Sequence, residues 1–118
     1  LLKMDREAAI PTLKMESLDE SSPVGAWVVV LGNPFGTGIT ATIGILSAKP
    51  GAIAEPAYLK RRMQLNAAIN PGNSGGPVLN LRGEVIGVAS AAVPGGFGLG
   101  FAVPASTVKA FLNKNRMD

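Results

Sequence analysis

Ser74 stands in the run Asn70-Pro71-Gly72-Asn73-Ser74-Gly75-Gly76-Pro77, one hydroxyl among glycines, where two strands have to be joined by a tight turn. Small neighbours leave that hydroxyl exposed and let backbone N–H groups turn toward whatever it attacks. Gly72 permits a positive φ, which a side chain resists. The N–H groups of Gly72 and Ser74 can then face one oxygen, with Ser74 Oγ about 3 Å from the carbon it attacks. This is the layout of a nucleophile beside an oxyanion hole. The plainer alternative is a glycine turn that happens to contain a serine. The Asn-Pro before it, the second glycine and proline after it, and the apolar strand that follows go beyond that alternative. Yet the sequence contains no histidine, so this serine arrives without the base a protease needs.

Other chemistries find little support. The sequence has no cysteine, which leaves no disulfide framework and no thiolate metal site. With histidine absent too, a transition-metal site would be all-oxygen, and no carboxylates cluster to form one; neither metal nor cofactor is expected. The net charge of +3 is mild and fixes no acidic partner. Lys60-Arg61-Arg62 is the one basic run, with only Tyr58 near it. Nucleic-acid binding calls for such residues spread over a face with interleaved aromatics, so the run reads as a solvated loop or strand end. Gly32 to Gly38 is glycine-rich but lacks the Gly-Lys-Ser/Thr ending of a phosphate loop. No apolar run approaches the ~18 residues of a membrane span.

The elements that must position Ser74 are short strands. Apolar residues make up 47% of the 118 residues against 16% charged, which argues for one packed domain over 1–118. Val24 to Leu31, centred on Trp27-Val28-Val29-Val30-Leu31, is β-branched and apolar. Ser21-Ser22-Pro23 supplies a turn before it. Ile39 to Leu46 alternates, and Met63 to Ile69 feeds straight into the glycine turn. Pro50-Gly51 marks a turn between these two strands. Val78 to Leu81 and Glu84 to Ala89 form a hairpin through Arg82-Gly83. Pro94-Gly95-Gly96 is another turn. Phe97 to Val103 is a last strand, with Gly98 and Gly100 where side chains would crowd a neighbour. From Pro104 to Lys114 the period changes: Ser106 can cap, and Val108, Phe111 and Leu112 share a helix face. Trp27 and Phe101 are expected to anchor the core. Six or so strands and one terminal helix imply a small antiparallel all-β barrel or sandwich.

Several segments together resemble the HtrA (DegP/Deg) serine endopeptidases, a family of the chymotrypsin fold. Ala67 to Asn80, followed by Gly83-Glu84-Val85-Ile86-Gly87, is similar to the family's nucleophile segment. Gly32-Asn33-Pro34-Phe35-Gly36, followed by Thr42 to Ser47, is similar to the first strands of its C-terminal barrel. Gly98 to Pro104 resembles its last strand and the approach to its helix. Leu1-Leu2-Lys3-Met4-Asp5 resembles the stretch just after the family's catalytic aspartate. The resemblance implies a single six-stranded antiparallel barrel, the second barrel of that fold, with a C-terminal α-helix.

It also implies a site. Ser74 would be the nucleophile, and Gly72, Asn73 and Ser74 would supply the oxyanion-hole backbone. Ile69 would line the primary specificity pocket, with Ser90, Ala91 and Val93 flanking the substrate; plain core packing is the competing account of those four. The triad order in this fold is His, Asp, Ser, which puts the aspartate just before Leu1 and the histidine further upstream. Asp5 matches an ordinary acidic residue. The abrupt apolar start reads like the end of a strand begun upstream; without the histidine, the aspartate and half of the cleft, the chain alone is expected to turn over peptides poorly. Asn73 stands where digestive relatives carry an aspartate that pairs with a new N-terminus, so that activation switch is not expected. Asn66 stands where many members have Asp, which touches local hydrogen bonding beside the site.

The partners implied are unfolded or damaged polypeptides, the first barrel, a PDZ domain downstream and further copies of the protein. The implied location is periplasmic or otherwise extracytoplasmic. A non-catalytic, protease-like scaffold or protein-binding module, or a stand-alone interaction domain, are the alternative readings.

Overall fold

The computed structural model describes residues 2–5, 8–17, 22–93 and 95–116, without the side chain of Ala91. Leu1, Ser21 and Pro94 of the expected segments lie outside these residues. Six strands close on one another in the order β1-β2-β3-β6-β5-β4, with β4 paired back to β1. They are β1 Trp27–Gly32, β2 Thr40–Ala48, β3 Met63–Leu65, β4 Pro77–Leu79, β5 Val85–Ala92 and β6 Gly100–Pro104, followed by α1 Ala105–Lys114. All pairings between them are antiparallel. The expected six-stranded barrel with a terminal helix is the observed fold, and closure leaves these strands no open edge to pair with another chain.

Alternation decides what fills it. Val28 and Val30 of β1, Leu46 of β2, Met63 and Leu65 of β3, and Val78 of β4 have no exposed surface. They point inward and meet Ile86, Ala89 and Ala102 from β5 and β6. The same alternation turns Trp27 outward. It is 56% exposed, so it is no core anchor, whereas Phe101 is buried as expected.

Strand ends depart from the sequence expectation for local reasons. β3 stops at Leu65 because the next residues leave the ladder and cross toward the Ser74 turn. β6 begins at Gly100, since Gly98, at φ 72°, belongs to the preceding turn. A Cβ on Gly100 would lie 2.8 Å from Ile69 Cδ1, while one on Gly98 would meet only ordinary contact. Pro104 is the N-cap of α1 and no side chain caps it; Ser106, already inside the first turn, is not the cap. The helix packs on β5 and β6, burying Ala105 while Phe111 stays half exposed.

The hairpin turn is closed by Gly83 N–H donating to Asn80 O at 3.0 Å. Beside it, residues 14–16 lie against β5: Val85 N–H donates to Lys14 O and Glu16 N–H to Val85 O, each at 2.8 Å. Glu84 ties the two together through Arg82 Nε and through Lys14 Nζ at 3.1 Å. The Arg82 hydrogen bond, and then that of Lys14, hold the Glu84 carboxyl down at about 2.

Candidate active site

The Ser74 turn is held from three sides. Behind it, Gly75 N–H donates to Ala89 O at 2.8 Å and Ala89 N–H donates to Gly76 O at 2.9 Å, which fixes the turn to β5. On one flank the loop after β1 packs against Gly72, and Asn33 N–H donates to Gly72 O at 3.2 Å. Gly72 adopts φ 102°, and a Cβ there would sit 2.5 Å from Pro34 Cα. Both the backbone conformation and the space therefore require glycine. Within the turn, Asn73 N–H donates to Asn70 O at 3.0 Å and Gly76 N–H to Asn73 O at 2.9 Å.

This leaves an uneven set of donors. Among the described residues, neither Gly72 N–H nor Ser74 N–H donates to a protein acceptor, whereas Asn73 N–H is taken by Asn70. The Asn73 side chain is buried, 2% exposed. Its Nδ2 donates to Ala68 O at 3.2 Å, and its Oδ1 meets no hydrogen-bond partner among the described residues.

Ser74 itself is exposed, and its Oγ lies 3.4 Å from Ser90 O, a long contact. Ser90 reaches that position through a β-bulge. Ala89 pairs with Ala102 and Ala91 with Phe101, so Ser90 is the extra residue between them. Its own hydroxyl donates to Phe101 O at 3.2 Å. The bulge therefore turns the Ser90 carbonyl toward Ser74 and its side chain toward β6.

A cavity of about 560 Å³ opens beside Ser74, lined by Ile69, Asn70, Pro71, Ser74, Ala92 and Val93. A second, of about 290 Å³, continues behind Ile69 and Val93 as far as Gly100. The structure thus brings Ile69, Val93 and Ser74 to one apolar hollow with the two unpartnered N–H groups at its turn. Ala91 lies in β5 opposite Phe101, with its side chain outside the described residues. Ala92 joins the lining, a residue that sequence reasoning misses; its place at the end of a strand after a bulge has no local signature.

Asn66, where the resemblance implies an aspartate in many members, accepts from Ile45 N–H through Oδ1 at 2.7 Å. A carboxylate oxygen accepts equally well, so the exchange leaves that bond possible. Lys60 and Arg61 are exposed beyond the short helical turn Ala57–Leu59. No group of three or more His, Cys, Asp or Glu among the described residues is placed to hold a metal ion. No helix among them is long and apolar enough to cross a membrane.

Comparison with known proteins agrees with this fold. Residues 1–88 match the trypsin-like peptidase domain family. A DegP-like periplasmic serine endoprotease of Rhizobium meliloti is 49% identical over 94 residues, which cover 77% of this chain and 18% of that protein. One from Chlamydia trachomatis is 41% identical over 108 residues, 89% of this chain and 22% of the relative. The chain therefore spans about a fifth of the length of these curated relatives. Among solved structures, the HtrA-type protease AlgW with a tripeptide superposes with a TM-score of 0.82 at 32% identity, covering 95% of this chain and 38% of that one. The serine endoprotease of Yersinia pestis gives 0.74 at 30% identity, covering 89% and 35%. A closed barrel, a serine in a glycine turn and relatives of one kind lead to one conclusion: the chain belongs to the trypsin-like serine peptidases of the HtrA/DegP type.

Proposed function

We propose that this chain is the nucleophile-bearing part of an extracytoplasmic serine endopeptidase that cleaves unfolded or damaged polypeptides. The observation that carries the reading is the Ser74 turn: an exposed hydroxyl, with unpartnered N–H groups on Gly72 and Ser74, beside an apolar hollow. In the reaction a base takes the Ser74 Oγ proton and Oγ bonds to the scissile carbonyl carbon. The carbonyl electron pair moves onto oxygen, where the Gly72 and Ser74 N–H groups receive the charge. Collapse expels the amine, which takes the proton back from the base, and water then releases the acyl group by the same route. Asn73 supports this hole by shaping the turn rather than by donating, since its N–H is already used.

The sequence has no histidine, so the base and its aspartate belong to a first barrel outside these residues, and the chain alone turns over little. The hollow suits a small aliphatic side chain before the cut bond, bounded by Ile69, Ala92 and Val93. The periplasmic names of the relatives support the location, and the family's PDZ domains and oligomers are the partners to look for.

A fluorophosphonate probe tests the reading in the full-length protein. Labelling at Ser74 that disappears in Ser74→Ala is expected. An unlabelled serine, under conditions where a related protease reacts, would favour a non-catalytic scaffold.

A further inference from the structure

The segment that carries the backbone from β3 to Ser74 is tied to the sheet by very little. The β2–β3 ladder ends with Asn66 N–H donating to Ile45 O at 3.2 Å. Beyond it, among the described residues, the only hydrogen bond from a strand to residues 67–71 comes from Thr42 of β2, whose Oγ1 donates to Ala68 O at 2.8 Å. The same carbonyl accepts Asn73 Nδ2 at 3.2 Å. Ala68 O is therefore a shared acceptor, with a rigid strand on one side and the oxyanion turn on the other.

The packing leaves this link little freedom. Thr42 sits opposite Val30 of β1 in the barrel wall. Two residues on, a Cβ at Gly44 would overlap Ala67 N, so the crossing segment lies directly on the β2 backbone. Ala67 and Ile69 are buried on either side of Ala68. With its neighbours held in the core, the carbonyl of Ala68 has its direction set by the two donors that meet it. Asn73 Oδ1 has no partner among the described residues. The bond to Ala68 is thus the one hydrogen bond of the Asn73 side chain among the described residues, beside its packing against Gly32, and that bond depends on where Thr42 holds the acceptor.

We propose that Thr42 is a positioning residue for the Ser74 turn, acting through Ala68 O and the Asn73 side chain. The role rests on the reading of Ser74 as nucleophile. Thr42 touches no substrate; its hydroxyl fixes the carbonyl that fixes Asn73, and Asn73 joins Gly72 to Ser74. Thr42→Val keeps the shape and removes the donor, while Thr42→Ser keeps the donor.

In the full-length protease, Thr42→Val is expected to lower kcat about five- to tenfold, the scale of one neutral hydrogen bond, with KM unchanged. Thr42→Ser is expected to restore kcat. Thermal unfolding measured on the same samples separates positioning from stability, because a purely structural role lowers the melting temperature and leaves kcat per folded molecule alone. Should Thr42→Val not fold, Thr42→Ala against Thr42→Ser makes the same comparison, since both lack the methyl and differ only in the hydroxyl. Ser74→Ala runs beside them and is expected to be inactive. A kcat within twofold of the parent for the variant lacking the hydroxyl, or a Thr42→Ser that falls as far, overturns the role of Thr42 while Ser74→Ala stays dead. A Ser74→Ala that still turns over substrate overturns the nucleophile reading and the role built on it.

Discussion

Gly72→Ala and Gly83→Ala add the same methyl group to two left-handed backbones with different surroundings. Gly83 has φ 76°, and no heavy atom lies within 4 Å of the place its methyl would take. The change there carries only the conformational cost of a side chain at positive φ, about 1–2 kcal/mol. Gly72 has φ 102°, and its new carbon would lie 2.5 Å from Pro34 Cα and 2.8 Å from Asn33 O. Carbon atoms in contact rest about 3.5–4.0 Å apart, so the turn must move by about 1 Å. Both obstructing atoms are backbone, and Asn33 N–H is bonded to Gly72 O, so the loop cannot simply swing aside. A displacement of that size at a reacting centre costs about 100-fold in rate.

The assay is the second-order rate of fluorophosphonate labelling at Ser74 in the full-length protein, with thermal unfolding beside it. Gly83→Ala is expected to melt several degrees lower, roughly 4 °C per kcal/mol, and to label at the parent rate. Gly72→Ala is expected to label about 100-fold more slowly. A Gly72→Ala protein that labels normally would refute the assignment of its N–H and its packing to the site. Equal losses in both variants would show that strain alone, and not place, sets the rate.

Two further outcomes concern the barrel. Ile86 is 1% exposed at the centre of the core, so Ile86→Ala should cost about 2–5 kcal/mol by urea unfolding; a loss below about 1 kcal/mol would place the core elsewhere. Glu84, held at about 2 against an ordinary 4.5 by Arg82 and Lys14, titrates lower in the folded state than in the unfolded one. Its contribution is therefore present above pH 4.5 and lost as pH falls toward 2. Glu84→Gln should flatten the acid limb of stability in that window, and an unchanged limb would show that the cluster does not act there.

How much of the fold is legible in the sequence depends on the range of the interaction. β1 is plain because consecutive β-branched residues have few other places to go. The hairpin at Asn80–Gly83 and the Ser74 turn are readable because a positive φ selects glycine within a few residues. The resemblance of the Ser74 run to a known family supplies Ile69 and Val93, which the structure does place at one hollow with it.

What is not legible is whatever is set across the barrel. Trp27 reads as core because it is large and apolar, but only the register of β1 against β2 and β4 says which face it occupies. β3 reads as continuous to Ile69 because Ala67 and Ile69 are apolar and buried; burial there comes from a crossing segment, not from a ladder. Ser106 reads as a cap, yet Pro104 ends β6 and takes the N-cap position itself, which places Ser106 inside the first turn.

The sequence by itself determined that a serine would sit in a glycine turn between short strands, because turn chemistry and strand propensity are properties of neighbouring residues. Only the tertiary structure decided which groups attend it. Thr42 reaches Ala68 across 26 positions of chain, and Ser90 lies 16 from Ser74 and meets it by way of a bulge. Closure of the barrel sets those distances, and it depends on all six strands at once.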